Sequence, residues 1–178
     1  MRKARRSERI RSFHPIAGRD ARVLILGSMP GRKSLAARQY YAHRQNAFWR
    51  IVGGLLAVQP LAPYRKRICA LKTARIALWD VLRSCTRDGS MDAGIDRDSE
   101  IANDFRAFFR SHRQISHVFF NGAKAAASFR RKVLPGLEVR TLRYIQLPST
   151  SPANASIAYE RKRQAWRQIL KPAKGNRP

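Results

Sequence analysis

The segment richest in groups that could do chemistry is Gln39-Tyr40-Tyr41-Ala42-His43-Arg44-Gln45-Asn46, which packs two phenols, an imidazole and three amides into one short stretch. It follows an apolar run, Val23 to Leu26, that Gly27, Pro30 and Gly31 bring to an end. A short apolar run bounded by glycine reads as a strand buried on both faces, and in open α/β sheets ligands bind beyond the carboxyl ends of the strands. The segment is too irregular for one amphipathic helix and too aromatic for a plain linker, so it reads as a site-forming loop. The turn before it suggests a rival chemistry. GSMPGRKS nearly matches the phosphate-cradling GxxxxGKS, and Ala77-Leu78-Trp79-Asp80 could end a strand in a magnesium-binding aspartate. Against a nucleotide hydrolase, Arg32 stands where that loop needs its second glycine, and Pro30 removes a backbone donor.

The scaffold that must hold these residues is legible as alternating apolar runs and helical spacings. Residues 47–58 place Phe48, Ile51, Val52, Leu55 and Leu56 at helical spacing, with Asn46 in the position of an N-cap. Pro60 and Pro63 separate this helix from one over residues 64–72. Residues 76–80 read as a second buried strand and 117–120 as a third, closed by Asn121-Gly122. Residues 139–147 read as a fourth strand, with Arg140 and Arg143 facing outward. Further helices are expected around Phe105, Phe108 and Phe109, over 123–133 and over 159–170. Strands alternating with helices give a parallel sheet covered on both faces. The expected fold is therefore α/β, a three-layer α/β/α sandwich around a four-stranded parallel sheet. One domain is expected over residues 12–170, between a basic disordered tail at 1–11 and a C-terminal tail at 171–178. The acidic run DGSMDAGIDRDSE departs from a calcium loop, with Ala93 at the glycine position and the closing glutamate one residue late. It reads instead as a surface loop ending in an N-cap at Asp98 or Ser99.

Charge narrows the partners. Lys and Arg number 37 against 11 Asp and Glu, a net charge of +26 and a pI near 11.7, which points to a polyanion and first of all to nucleic acid. On charge alone, a non-catalytic DNA- or RNA-binding module remains an alternative. Cys69 and Cys85 form no CxxC pair, read as ordinary buried thiols, and are too few to ligate an iron-sulfur cluster. With no run long enough for a membrane helix, a cytoplasmic protein without membrane contact is expected.

GSMPG, YYAHRQNAFW and LPSTSPAN (Leu147 to Asn154), taken together, resemble the uracil-DNA glycosylase superfamily, in particular its hypoxanthine-DNA glycosylase branch and more distantly the mismatch-specific uracil glycosylases. The resemblance covers most of Phe13 to Leu170. It implies an enzyme that hydrolyses the N-glycosidic bond of a deaminated base, hypoxanthine or uracil, in DNA; a monomer with no cofactor and no metal is expected, and a monofunctional one, because no lysine is convincingly placed for Schiff-base chemistry. Such an enzyme extrudes the base from the stack and needs a ring against which to hold it. By its match to the family pattern Tyr41 is that ring, with Tyr40 beside it. Most of the superfamily carries Asn or Asp in the first turn to orient the attacking water. Here that position is Met29, and the resemblance to the hypoxanthine branch transfers the role to Asn46, with His43 as an assistant. Arg44 stands where related loops often carry proline.

Deaminated bases present a carbonyl acceptor beside a ring N–H donor, a pattern that an amide matches. Asn121 is the expected reader, helped by backbone groups near Ser28 and Met29; a turn residue before Gly122 is its alternative. From the second motif, Ser149, Thr150 and Ser151 are expected to offer hydroxyls and N–H groups to phosphates. Pro152, Ala153 or Asn154 would then fill the gap left by the flipped nucleotide.

Overall fold

The computed structural model describes residues 8–137 and 141–174. In chain order its elements are β1 (Glu8–Arg11), β2 (Val23–Gly27), α1 (Arg32–Ala37), α2 (Phe48–Leu55), α3 (Tyr64–Thr73), β3 (Ile76–Asp80) and β4 (Leu82–Arg87). After a 3-10 turn at Asp92–Gly94 come β5 (Ile101–Ala102), α4 (Phe105–Ser111), β6 (His117–Asn121), α5 (Ala123–Lys132), β7 (Arg143–Leu147), α6 (Tyr159–Trp166) and α7 (Leu170–Lys174). Four strands form a wholly parallel sheet in the order β3-β2-β6-β7, flanked by helices as the apolar runs require.

Successive side chains of a strand point to opposite faces, and the central strand β2 shows what that does here. Leu24 and Leu26 join one core with Trp79, Phe105, Phe120 and Phe129, whereas Val23 and Ile25 join a second with Phe48, Ile51, Leu78 and Trp166. Each fully buried side chain of this size stabilises the fold by about 1.5–3 kcal/mol. The parallel register then decides where a site can form. Gly27 lies beside Asp80, and Asn121 beside Leu147, so the strands end together and their following loops gather at one edge.

Several expectations need correction. The basic tail is shorter than composition suggests: Glu8–Arg11 pair antiparallel with β4, which also pairs with β5, making a second, three-stranded sheet. Ile10, packed against the first core, anchors that strand despite its charged neighbours. Residues 1–7 lie outside the described residues, as do residues 139 and 140; residues 141 and 142 are irregular, so the fourth strand of the main sheet begins at Arg143, later than expected. At the C-terminal end, residues 171–174 continue as helix α7 rather than a tail, with Ala173 in the second core; residues 175–178 are not described. The N-cap after the acidic stretch is Asp104, whose carboxylate accepts from Ala107 N at 2.9 Å, because β5 intervenes between Ser99 and the helix. Cys69 is exposed, while Cys85 is buried as expected.

The acidic stretch also supplies a structural ion cluster. The Glu100 side chain is fully buried and accepts from Lys124 and Arg131 of α5, joining β5 to that helix. Burial pushes its carboxyl up, but the two cations hold it net below the usual range. A depressed carboxylate contributes stability above its unfolded pKa and loses it as pH falls. Glu100→Gln is therefore expected to cost about 2 kcal/mol at pH 7. Urea melts should show the difference from wild type shrinking below about pH 4.5, the range in which Glu titrates.

Candidate active site

Two loops distant in sequence meet at the carboxyl edge of the sheet, and Thr150 joins them. It is 1 % exposed. Its carbonyl accepts from Ala47 N at 2.9 Å, just ahead of α2, so the second motif is bonded directly to the end of the first. Its own N–H donates to Asn121 Oδ1 at 2.8 Å, and its hydroxyl accepts from Asn121 Nδ2 at 2.9 Å. The C-terminal helix α6 holds the same loop from behind. Trp166 Nε1 donates to the Pro148 carbonyl at 3.0 Å, and Lys162, 6 % exposed, donates to the Asn154 carbonyl at 2.6 Å. At Gly122, with φ of +95°, a Cβ would come within 2.8 Å of Ser149 Cβ, so glycine is required for the loop to lie this close.

The loops enclose a cavity of about 960 Å³. Asn46, His43 and Tyr41 line it from the first motif, Ser149, Ser151, Pro152 and Asn154 from the second, and Asn121 from the end of β6. Asn46 Oδ1 accepts from Phe48 N at 2.9 Å, and the Asn46 N–H donates to the His43 carbonyl at 2.9 Å. Asn46 thus does the work of a cap while its side chain lines the cavity, although the residue flanking the helix is Ala47. The bond fixes the amide's orientation and leaves the second Oδ1 lone pair for a water. His43 Nδ1 accepts from Gln45 N at 3.2 Å, which puts the proton of the neutral ring on Nε2.

Tyr41 stacks face to face on Phe48, centroids 4.0 Å apart at 19°, so the ring is backed by the core. Its backbone is left-handed, with φ of +54°, at a cost of about 1–2 kcal/mol that the packing must offset. Tyr40 is buried, its ring edge-on to Phe13 and its hydroxyl donating to the His14 carbonyl. Met29 packs into the first core, and the Ser28 hydroxyl donates to Asp92 at 2.7 Å.

The structure gives some expected residues different partners. The Thr150 hydroxyl is buried against Asn121 and faces no phosphate, and the Asn121 amide spends both ends on Thr150. Ser149 Oγ accepts from Ser151 N, Ser151 Oγ accepts from Ala153 N, and Asn154 Nδ2 donates to the Ser149 carbonyl, so these polar groups chiefly brace their own loop. Pro152 and Ala153 are the exposed tip. Arg32 and Lys33, exposed at the start of α1 on the cavity wall, were missed, because the phosphate-loop comparison treated Arg32 only as an obstacle.

Asp80 was missed as a cavity residue for a related reason, having been weighed only as a magnesium ligand. It is 3 % exposed, and a Cβ on Gly27 would lie 2.6 Å from its Oδ1 and 2.9 Å from Tyr41 Oη. Glycine at the end of β2 therefore lets the acid and the phenol approach one spot on the cavity floor. Burial, then the nearby Asp92, pushes the Asp80 carboxyl up to about 8, with Arg87 opposing. Among the described residues, no group of three or more His, Cys, Asp or Glu is arranged to hold a metal, and no helix is long and apolar enough to cross a membrane.

Thr150→Val keeps the shape but leaves the Asn121 amide donor unpaired. A loss of about 1–2 kcal/mol in urea unfolding is expected, with Thr150→Ser recovering most of it.

Comparison with known proteins identifies the family. The family model described as the uracil DNA glycosylase superfamily matches residues 14–171. A hypoxanthine DNA glycosylase of Methanosarcina acetivorans is 35% identical over 163 residues, covering 90% of this chain and 98% of its own length. One of Methanosarcina barkeri is 38% identical over 115 residues, covering 64% of this chain and 71% of its own. A solution NMR structure of a Methanosarcina acetivorans protein, provisionally named a uracil DNA glycosylase, superposes with a TM-score of 0.78 at 30% identity, covering 94% of this chain and 99% of its own. The nucleotide-hydrolase alternative has no counterpart in these matches, and the chain belongs to the uracil DNA glycosylase superfamily as a DNA glycosylase.

Proposed function

We propose that this glycosylase excises a deaminated base, hypoxanthine or uracil, from DNA by simple hydrolysis, and that it acts as a monomer in the cytoplasm. The observation that carries the reading is that Asn46, held by the Phe48 N–H, lines the same cavity as Ser149 and Asn154. The two relatives named hypoxanthine DNA glycosylases support the choice of base.

In this reading the extruded nucleotide enters the cavity and its base lies against the Tyr41 ring, already backed by Phe48. Asn46 Oδ1 accepts from a water and aims its oxygen at C1′. As the bond from C1′ to the base nitrogen stretches, the sugar gains oxocarbenium character, the water oxygen bonds to C1′ and sheds a proton, and the base leaves with the bonding electron pair. Orientation of the water and exclusion of bulk solvent supply the acceleration, without a charged base beside the water. His43, with its proton on Nε2, is placed to donate to a phosphate or the departing base. Arg32 and Lys33 join the Ser149 and Ser151 hydroxyls, whose O–H groups can still donate, in holding the backbone, with Pro152 and Ala153 as the wedge. Asn121 contributes indirectly, by fixing the loop that carries Ser149 and Ser151 through its two bonds to Thr150.

Oligonucleotides each carrying one hypoxanthine or one uracil test the assignment. Wild-type protein should release free base and leave an alkali-labile abasic site. Asn46→Ala should lower the single-turnover rate about 100-fold or more while DNA affinity stays within a few-fold. Release at an undiminished rate by that variant would remove Asn46 from the chemistry. A borohydride-trapped covalent adduct would contradict simple hydrolysis.

A further inference from the structure

The cavity contains a buried acid that the reaction just described leaves unused. Asp80 ends β3 beside Gly27, lines the cavity floor and takes part in none of the ion pairs among the described residues. Its Oδ2 is buried without a hydrogen-bond partner, and so is the neighbouring Tyr41 Oη. Arg87 carries a nearby charge but makes no hydrogen bond to it. A carboxylate shut away from water without a cation in contact is costly, and such a group escapes the cost by keeping its proton. A carboxyl left unsatisfied at the floor of a cavity is suited to a ligand that brings it a partner.

We propose that Asp80 acts as an un-ionised acid whose O–H donates to a carbonyl oxygen of the extruded base. The inference rests on the glycosylase reading above and adds a group that stabilises the leaving base. When the bond from C1′ to the base nitrogen breaks, its electron pair spreads through the ring onto the carbonyl oxygen. A fixed O–H holds that charge, whereas a carboxylate would repel it. The proton stays on Asp80 as a hydrogen bond, and the proton released by the attacking water passes to solvent. A neutral carboxyl also has an acceptor oxygen that suits the ring N–H next to the carbonyl, so its donor and acceptor pattern matches the lactam edge of hypoxanthine or uracil. The same acid also matches the amino edge of adenine. Asp80 therefore supplies grip and charge stabilisation, and choice among bases falls partly to extrusion, which is easiest for mispaired bases.

The groups facing Asp80 set the pH range. Asp92, on the 3-10 turn, raises its pKa and Arg87, on β4, lowers it, while burial outweighs both and brings it to about 8. Tyr40 and Tyr41, in the loop, and Tyr64, on α3, also face it, and burial pushes each phenol upward, so all three stay neutral over this range. The acid keeps its proton below about pH 8 and loses it above.

The experiment is single-turnover excision between pH 6 and 9.5 by wild type, Asp80→Asn and Asp80→Leu, with a thermal melt on each. Wild-type activity should fall about tenfold per pH unit above its pKa. The amide of Asp80→Asn still donates, so this variant should stay within about threefold of the wild-type maximum and lose the alkaline decline, while Asp80→Leu should drop about 100-fold. A folded Asp80→Asn that loses 100-fold, as an ionised base would require, overturns the proposal. So does one that keeps the alkaline decline. Urea unfolding gives a second reading. A carboxyl raised in the fold makes wild type lose stability relative to Asp80→Asn as pH rises from about 4 to about 8, and no such trend overturns the proposal as well. Loss confined to the Asp80 variants leaves the deaminated-base reading standing; wild type that releases neither base ends that reading and this inference with it.

Discussion

The site exists because Thr150 is buried with its polar groups committed to both halves of it. Its carbonyl secures the entry to α2, and its N–H and hydroxyl secure the end of β6. Each bond contributes about 1 kcal/mol net, but an unmade bond at a buried position costs more, so the arrangement is well determined. Asn46, one residue before Ala47, takes its place from this closure, and α6 reinforces it through Trp166 and Lys162. The parallel sheet brings the strand ends level, and the Thr150 bonds turn that edge into a walled cavity.

Electrostatically the molecule is divided. The chain carries a net charge of +26, suited to a phosphate backbone and sensitive to salt through counterion release. The cavity floor, by contrast, brings a buried aspartate and a phenol to one spot. The outer charge attracts any nucleic acid, whereas discrimination depends on groups removed from solvent, where each hydrogen bond counts for more.

The sequence made three strands of the main sheet legible because VLIL, IALW and VFF are continuous apolar runs, as strands buried on both faces require, whereas the edge strand RYIQL is mostly exposed. The second sheet was hidden because Glu-Arg-Ile-Arg is dominated by charge and Leu-Arg-Ser-Cys-Thr-Arg mixes polar with apolar residues, so their burial follows from pairing with each other rather than from composition. Helix α1 was likewise obscured by the Pro30-Gly31 turn ahead of it. In the site, motif resemblance identified both loops, and Asn46, Tyr41 and Ser149 do line one cavity. Side-chain direction was beyond its reach. A threonine among serines reads as a phosphate contact, and only tertiary packing turns its hydroxyl toward Asn121. Asp80 escaped notice because a carboxylate at a strand end suggests a metal, and burial, which changes its protonation, is a property of the fold.

The closure at Thr150 bears on how relatives of this protein could exchange preferences. A loop transplanted from a homologue would arrive at a seam whose three bonds were fitted to the resident Asn121 and the resident start of α2. Chimeras that move the first or second motif alone should therefore inherit a mismatched seam, whereas those that carry both motifs together with the end of β6 keep it whole. Divergence within such a fold would be expected to proceed by coordinated replacement of these three segments, with the sheet beneath as the common chassis.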